Sequence, residues 1–149
     1  MDYIVLIVTG IIGSLGFGLI MNLKKTRLFY IMTGSALTCL FYVICQSAFE
    51  SNFVINLIPT LITAAYCEIL ARIVKAPVTT FLFPSLIALV PGGALYYTMH
   101  YILNGDSAQA SLYGMQTVQT ALALAVGIVA ASVVAAYIFS MINTWRIRK

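Results

Sequence analysis

Five long apolar segments dominate the sequence and constrain its fold more than any other feature. They comprise residues 3–21, 28–49, 53–71, 78–103 and 118–142. A helix needs about 20 apolar residues to cross a hydrocarbon core of about 30 Å, so each segment is long enough to span a bilayer. We therefore predict an all-α integral membrane protein whose residues 1–149 form a single transmembrane domain with five spans.

The composition supports a lipid environment. Hydrophobic residues make up 62% of the chain and charged residues 8%, against about 45–50% and about 25% in soluble domains. The formal net charge is +4, but the basic residues form three short clusters beside apolar segments, a pattern that reports membrane orientation. We expect a lipid bilayer around the chain and no nucleic-acid partner.

The loops predict the orientation. The basic residues all fall on one side if the chain crosses five times: Lys24, Lys25, Arg27, Arg72, Lys75, Arg146, Arg148 and Lys149. Basic loops remain in the cytoplasm, whereas Asp2, Glu50 and Asp106 fall on the opposite side. We predict an N-terminus outside and a C-terminus in the cytoplasm, in a cell (inner or plasma) membrane.

Enzyme and metal motifs are lacking in the sequence. There is no Gly-x-Ser-x-Gly, no His-Glu-x-x-His and no P-loop. The cysteines Cys39, Cys45 and Cys67 lie inside apolar segments without metal-ligand spacing, so we interpret them as packing residues. We expect neither enzymatic activity nor a cofactor or metal.

The fourth segment contains an unusual group of helix-weakening residues. Pro84 is followed by Pro91, Gly92 and Gly93 within one predicted span. Proline removes a backbone donor and glycine relaxes helical geometry, so we predict a broken helix near mid-membrane. A proline kink with packing glycines is the alternative. In transporters, such breaks expose helix ends that bind ions and anionic groups, and we therefore place these residues in a substrate pathway.

Polar residues inside the spans supply further candidates. Glu68 is a candidate for ion coupling, because ionisable groups within a membrane are often functional; a simple i,i+4 pair with Arg72 is the alternative. Asn56 and Thr63 either line the pathway or hydrogen-bond neighbouring helices. Tyr97 and Thr98 are predicted to line its outer half.

The run APVTTFLFPSLIALVPGGALYYTM, residues 76–99, carries a likeness to a known family. With its basic flank and the fifth span it resembles the threonine/serine exporter family (ThrE-like), most of all the short YjjB-type membrane subunit. The specific part is the spacing from Pro84 to Pro91 and Gly92.

The resemblance implies a subunit of a secondary exporter that works with a larger, five-span YjjP-type partner. Its substrates would be small polar metabolites: threonine and serine, or small dicarboxylates such as succinate. The sequence does not decide between these substrates, nor does it give the coupling ion or the stoichiometry. A structural or assembly subunit without substrate contact, and a homo-oligomeric channel, are the alternatives.

Overall fold

The computed structural model describes the backbone of residues 3–147 and the side chains of residues 3–141. All regular elements in that part of the chain are helical. They are α1 (Tyr3–Ile20), α2 (Lys25–Ala48), α3 (Asn52–Val74), α4 (Thr79–Leu86), a 3₁₀ turn (Ile87–Leu89), α5 (Gly92–Leu103) and α6 (Ser107–Ile147).

Four of these helices, α1, α2, α3 and α6, are long and apolar enough to cross a bilayer. The segment from α4 through the 3₁₀ turn, together with α5, passes the same test as a bent pair and brings the number to five if the pair is counted as one span. The prediction of an all-helical, multi-span protein is thereby confirmed at four to five spans.

The last helix is much longer than the sequence predicted. It has 41 residues and is therefore about 60 Å long at a rise of about 1.5 Å per residue, roughly twice the thickness of the hydrocarbon core. Its first three turns, before the predicted start at residue 118, pack against α5: the rings of Tyr97 and Tyr113 are 5.3 Å apart. Helix α5 and the start of α6 thus form an antiparallel hairpin.

The turn of this hairpin is built from two residues. Gly105 adopts a positive φ of 76°, a conformation that glycine tolerates without steric cost. Asp106 then accepts a hydrogen bond from the backbone N–H of Gln109 at 3.1 Å, which caps the first turn of α6.

The chain leaves helical geometry between α4 and α5. Val90 is extended and Pro91 precedes the first residue of α5, and the two helical pieces are bent by 51°. Proline disfavours helical geometry at the residue before it, which explains the extended Val90. Pro84 lies inside α4, and the helix continues past it to Leu86.

The hydrophobic core lies toward the end of the bundle where α1 meets α2 and α3 meets α4. Its buried residues include Ile31, Cys67 and Phe81, and Leu23 and Val74 pack against it. The described basic residues lie at this end, while Glu50 and Asp106 are at the other. Asp2, Arg148, Lys149 and the side chain of Arg146 lie outside the described residues.

Candidate functional site

A cavity of about 290 Å³ lies where the helix break meets α1, α2, α3 and α6. Its polar lining comes from Asn52 and Asn56 of α3 and from Gln116 and Thr120 of α6. The apolar lining comprises Leu6, Cys39, Tyr42, Ala88, Leu89, Val90, Pro91 and Ala94. The break therefore forms part of the wall of a partly polar space inside the bundle.

Asn56 and Thr120 connect the two polar sides of this cavity. Asn56 is 4% exposed and Thr120 is 7% exposed. The side-chain amide of Asn56 donates to the backbone carbonyl of Asn52 at 2.8 Å and reaches the hydroxyl of Thr120 at 3.5 Å. The second distance is long for a hydrogen bond, so both groups retain capacity for another polar partner.

A second, wider space of about 510 Å³ adjoins the cavity. It is lined by Glu50, Ser51, Asn52, Gln116 and Gln119. Because Asn52 and Gln116 line both spaces, we treat the wider one as the vestibule of the cavity. Among the described residues that line the vestibule, Glu50 is the charged one.

The first turn of α5 borders the cavity through Pro91 and Ala94. The N–H of Gly92 donates to the carbonyl of Val90 at 2.7 Å, whereas the N–H groups of Gly93 and Ala94 have no partner within the helix, and the helix dipole makes this end partially positive. This partial positive charge comes from the backbone alone and needs no basic side chain. The cavity wall thus has a feature suited to an anionic group.

A separate group of hydroxyls is buried between α2, α3 and α4. The hydroxyl oxygens of Thr38 and Thr63 are 2.7 Å apart, and that of Thr38 lies 3.1 Å from the backbone carbonyl oxygen of Ser85. Thr38, Thr63 and Ser85 have no exposed surface. Thr63 thus bonds a neighbouring helix.

Glu68 lies on α3 toward the end of the bundle opposite the cavity, and it is 8% exposed. Its carboxylate is 3.6 Å from the guanidinium of Arg72. That guanidinium also lies 3.7 Å from the centre of the Phe139 ring, a cation–π contact that ties α3 to α6. Glu68 is therefore paired, and the pair is packed against an aromatic ring.

The structure separates the residues that the sequence placed in one pathway. Asn56 and Pro91 line the cavity, and a Cβ atom added at Gly92 or Gly93 would meet nothing within 4 Å. The ring of Tyr97 lies 5.3 Å from that of Tyr113 on α6, tilted by 33°. Thr98, also on α5, donates to the carbonyl of Ala94.

The sequence analysis did not single out Asn52, Gln116, Thr120, Thr38 or Ser85 as candidates for the site. A lone hydroxyl or amide in an apolar helix is the only sequence signal for such residues. That signal does not say whether a side chain faces lipid, a neighbouring helix or a cavity.

A helical bundle apolar enough to cross the membrane several times, with a cavity at a helix break, defines a multi-pass cell membrane transport protein. Residues 6–134 match the family model described as threonine/serine exporter, ThrE. The chain belongs to this family, which confirms the resemblance seen in residues 76–99. The family is a transporter class and not an enzyme class. No curated protein and no solved structure matches the chain.

Proposed function

We propose that this chain is the small membrane subunit of a secondary exporter for small polar metabolites, with threonine and serine as the favoured substrates. The observation that carries the proposal is the cavity at the Pro91 break. It combines buried amide and hydroxyl groups with the start of a helix, which are the groups that bind a hydroxy amino acid.

The charge around the cavity favours a zwitterion over a dicarboxylate. The N-terminus of α5 suits one carboxylate, Asn56 and Thr120 suit a hydroxyl, and Glu50 in the vestibule suits an ammonium group. Within the described residues neither space is lined by Lys, Arg or His. A second carboxylate, as in succinate, would need a cation from the partner subunit.

We place the chain across the membrane with five spans, counting α4 and α5 together as the fourth. This keeps the basic end of the bundle in the cytoplasm, the N-terminus outside, and residues 1–149 in one transmembrane domain. The vestibule then opens outward, and Glu68 lies at the cytoplasmic end as the candidate for ion coupling. A reporter fused to the C-terminus that is active only in the cytoplasm tests this orientation.

The α5–α6 hairpin is where we place the partner subunit. Helix α5 has no buried residue, and large apolar side chains on it are exposed, among them Leu95, Met99, Ile102 and Leu103. In our proposal the larger five-span subunit covers this surface, and Tyr97 and Thr98 line the outer half of the pathway beside it.

Metabolite release by the native host tests the proposal. Threonine, serine and succinate are measured inside and outside cells in which the gene is intact, deleted, or restored. We expect deletion to trap threonine or serine inside the cells and restoration to release it. Unchanged metabolites with a loss of a neighbouring membrane protein would support an assembly subunit, and transport by this chain purified alone would support a homo-oligomeric channel.

A further inference from the structure

Among the residues that the structure describes, three serine hydroxyls are buried in the bundle without a nitrogen or oxygen partner. Ser14, Ser35 and Ser85 have no exposed surface, and their Oγ atoms make no hydrogen bond to nitrogen or oxygen. Ser35 and Ser85 face the thiols of Cys39 and Cys67, which are weak partners. A buried hydroxyl left unsatisfied costs about 1–3 kcal/mol, so these groups require an explanation.

Two of these serines lie directly beneath the cavity. Ser35 is one helical turn before Cys39 on α2, and Ser85 is one turn before Leu89; Cys39 and Leu89 both line the cavity. The paired hydroxyls of Thr38 and Thr63 lie at the same level, because Thr38 contacts the carbonyl of Ser85. We call Ser35, Thr38, Thr63 and Ser85 the hydroxyl cluster.

The hydroxyl cluster continues toward the basic end of the bundle. Ser85 faces Cys67, which is the residue before Glu68. Polar groups therefore follow one another from the cavity as far as Cys67. Thr38, Thr63 and Ser85 lie between α2, α3 and α4, and Ser35 lies beside them on the side of α2 that faces Gly10 of α1.

Helices α2 and α4 approach each other closely beside the cluster in the present conformation. A Cβ atom added at Gly34 of α2 would overlap the Ser85 hydroxyl and lie 3.3 Å from the Tyr66 ring. The helices α2 and α4 are thus in close contact at the cluster, and no solute could pass between them without a separation of the two helices.

We infer that the hydroxyl cluster is the inner section of the substrate pathway, closed in this conformation and hydrated when α4 separates from α2. This inference rests on the proposed export function. Hydroxyls that only hold helices together find strong partners across the interface, as Thr38 and Thr63 do; Ser35 and Ser85 reach only the thiols of Cys39 and Cys67, which are weak partners. In the open state, water and the polar groups of the substrate supply their missing hydrogen bonds.

The native Cys67 thiol tests the inference without altering the cluster. The full chain in membranes of its host is treated with N-ethylmaleimide, and site-resolved mass spectrometry follows labelling at each cysteine. The variant A64C supplies a control thiol of matched burial, because Ala64 is 1% exposed, Cys67 is 0% exposed and both belong to the same buried core, while Ala64 is not one of the polar residues of the cluster. T63C gives a second probe inside the cluster.

We expect Cys67 to react at least about tenfold faster than the thiol introduced by A64C, because only a thiolate reacts and opening of the proposed pathway brings water to Cys67 and not to position 64. Added threonine or serine should change the rate at which N-ethylmaleimide labels Cys67 by more than twofold, and the change should follow the occupancy of the pathway by substrate. T63C should follow Cys67.

Labelling of Cys67 and T63C as slow as that of A64C, in cells that still export the metabolite, would overturn the inference and leave the export proposal standing. Failure of deletion to change any metabolite would instead refute the export proposal. Fast labelling that is insensitive to every tested metabolite would also overturn the inference, since it would indicate local opening and not a substrate pathway.

Discussion

The carboxylate of Glu68 lies 3.6 Å from the guanidinium of Arg72, one helical turn further along α3. The two side chains are unequally buried, with about 10% of Glu68 and 41% of Arg72 exposed. Loss of the arginine therefore leaves a nearly buried charge without a partner, whereas loss of the glutamate leaves a cation that still reaches solvent and the Phe139 ring.

We predict that R72Q lowers the stability of the protein more than E68Q does, by about 1 kcal/mol, a value between those of exposed and buried pairs. The double variant should recover part of the loss, because it removes the unpaired charge. Thermal unfolding in detergent measures this. If E68Q keeps its stability and loses export, the carboxylate has a coupling role; if export persists, its role is structural only.

We predict that G34A disrupts the contact between α2 and α4. Its Cβ would overlap the Ser85 hydroxyl, and overpacking of this kind usually costs about 1–3 kcal/mol. G13A is the matched control, since a Cβ at Gly13 would meet nothing within 4 Å and alanine favours a helix by up to about 1 kcal/mol. Equal thermal stability of the two variants would show that α2 and α4 pack less closely than described.

We predict that T120V reduces export roughly two- to tenfold, the effect of losing one hydrogen bond worth about 0.5–1.5 kcal/mol. Valine keeps the shape of threonine and removes the hydroxyl from the cavity. T117V is the control, because Thr117 lies one turn away on the same helix. Its hydroxyl donates a hydrogen bond to the backbone carbonyl of Tyr113 in that helix. Equal rates for T120V and T117V would remove Thr120 from the substrate site.

We predict that G92A and G93A lower export without lowering the amount of protein in the membrane. A Cβ at either position would meet nothing within 4 Å, so packing does not account for these glycines. Alanine stabilises the helical first turn of α5 by up to about 1 kcal/mol per residue relative to glycine. It therefore opposes any movement of the backbone at the break that needs this turn to unwind. Transport and immunoblot measurements on the same cells check this; unchanged export would exclude motion at Gly92 and Gly93.

The sequence alone determined the membrane environment and the helical class. Apolar runs of sufficient length leave helices as the expected way to satisfy the backbone in lipid. The pairing of Glu68 with Arg72 also followed from their i,i+4 spacing.

The tertiary structure decided which polar groups meet. Asn56 and Thr120 are 64 residues apart in the chain, and Thr38 contacts Ser85 across 47; no local pattern specifies such contacts. The early start of α6 at Ser107 depends on packing against α5, which a hydropathy pattern does not contain. The spans come from local chain chemistry, whereas the cavity exists only because the break, α3 and α6 converge.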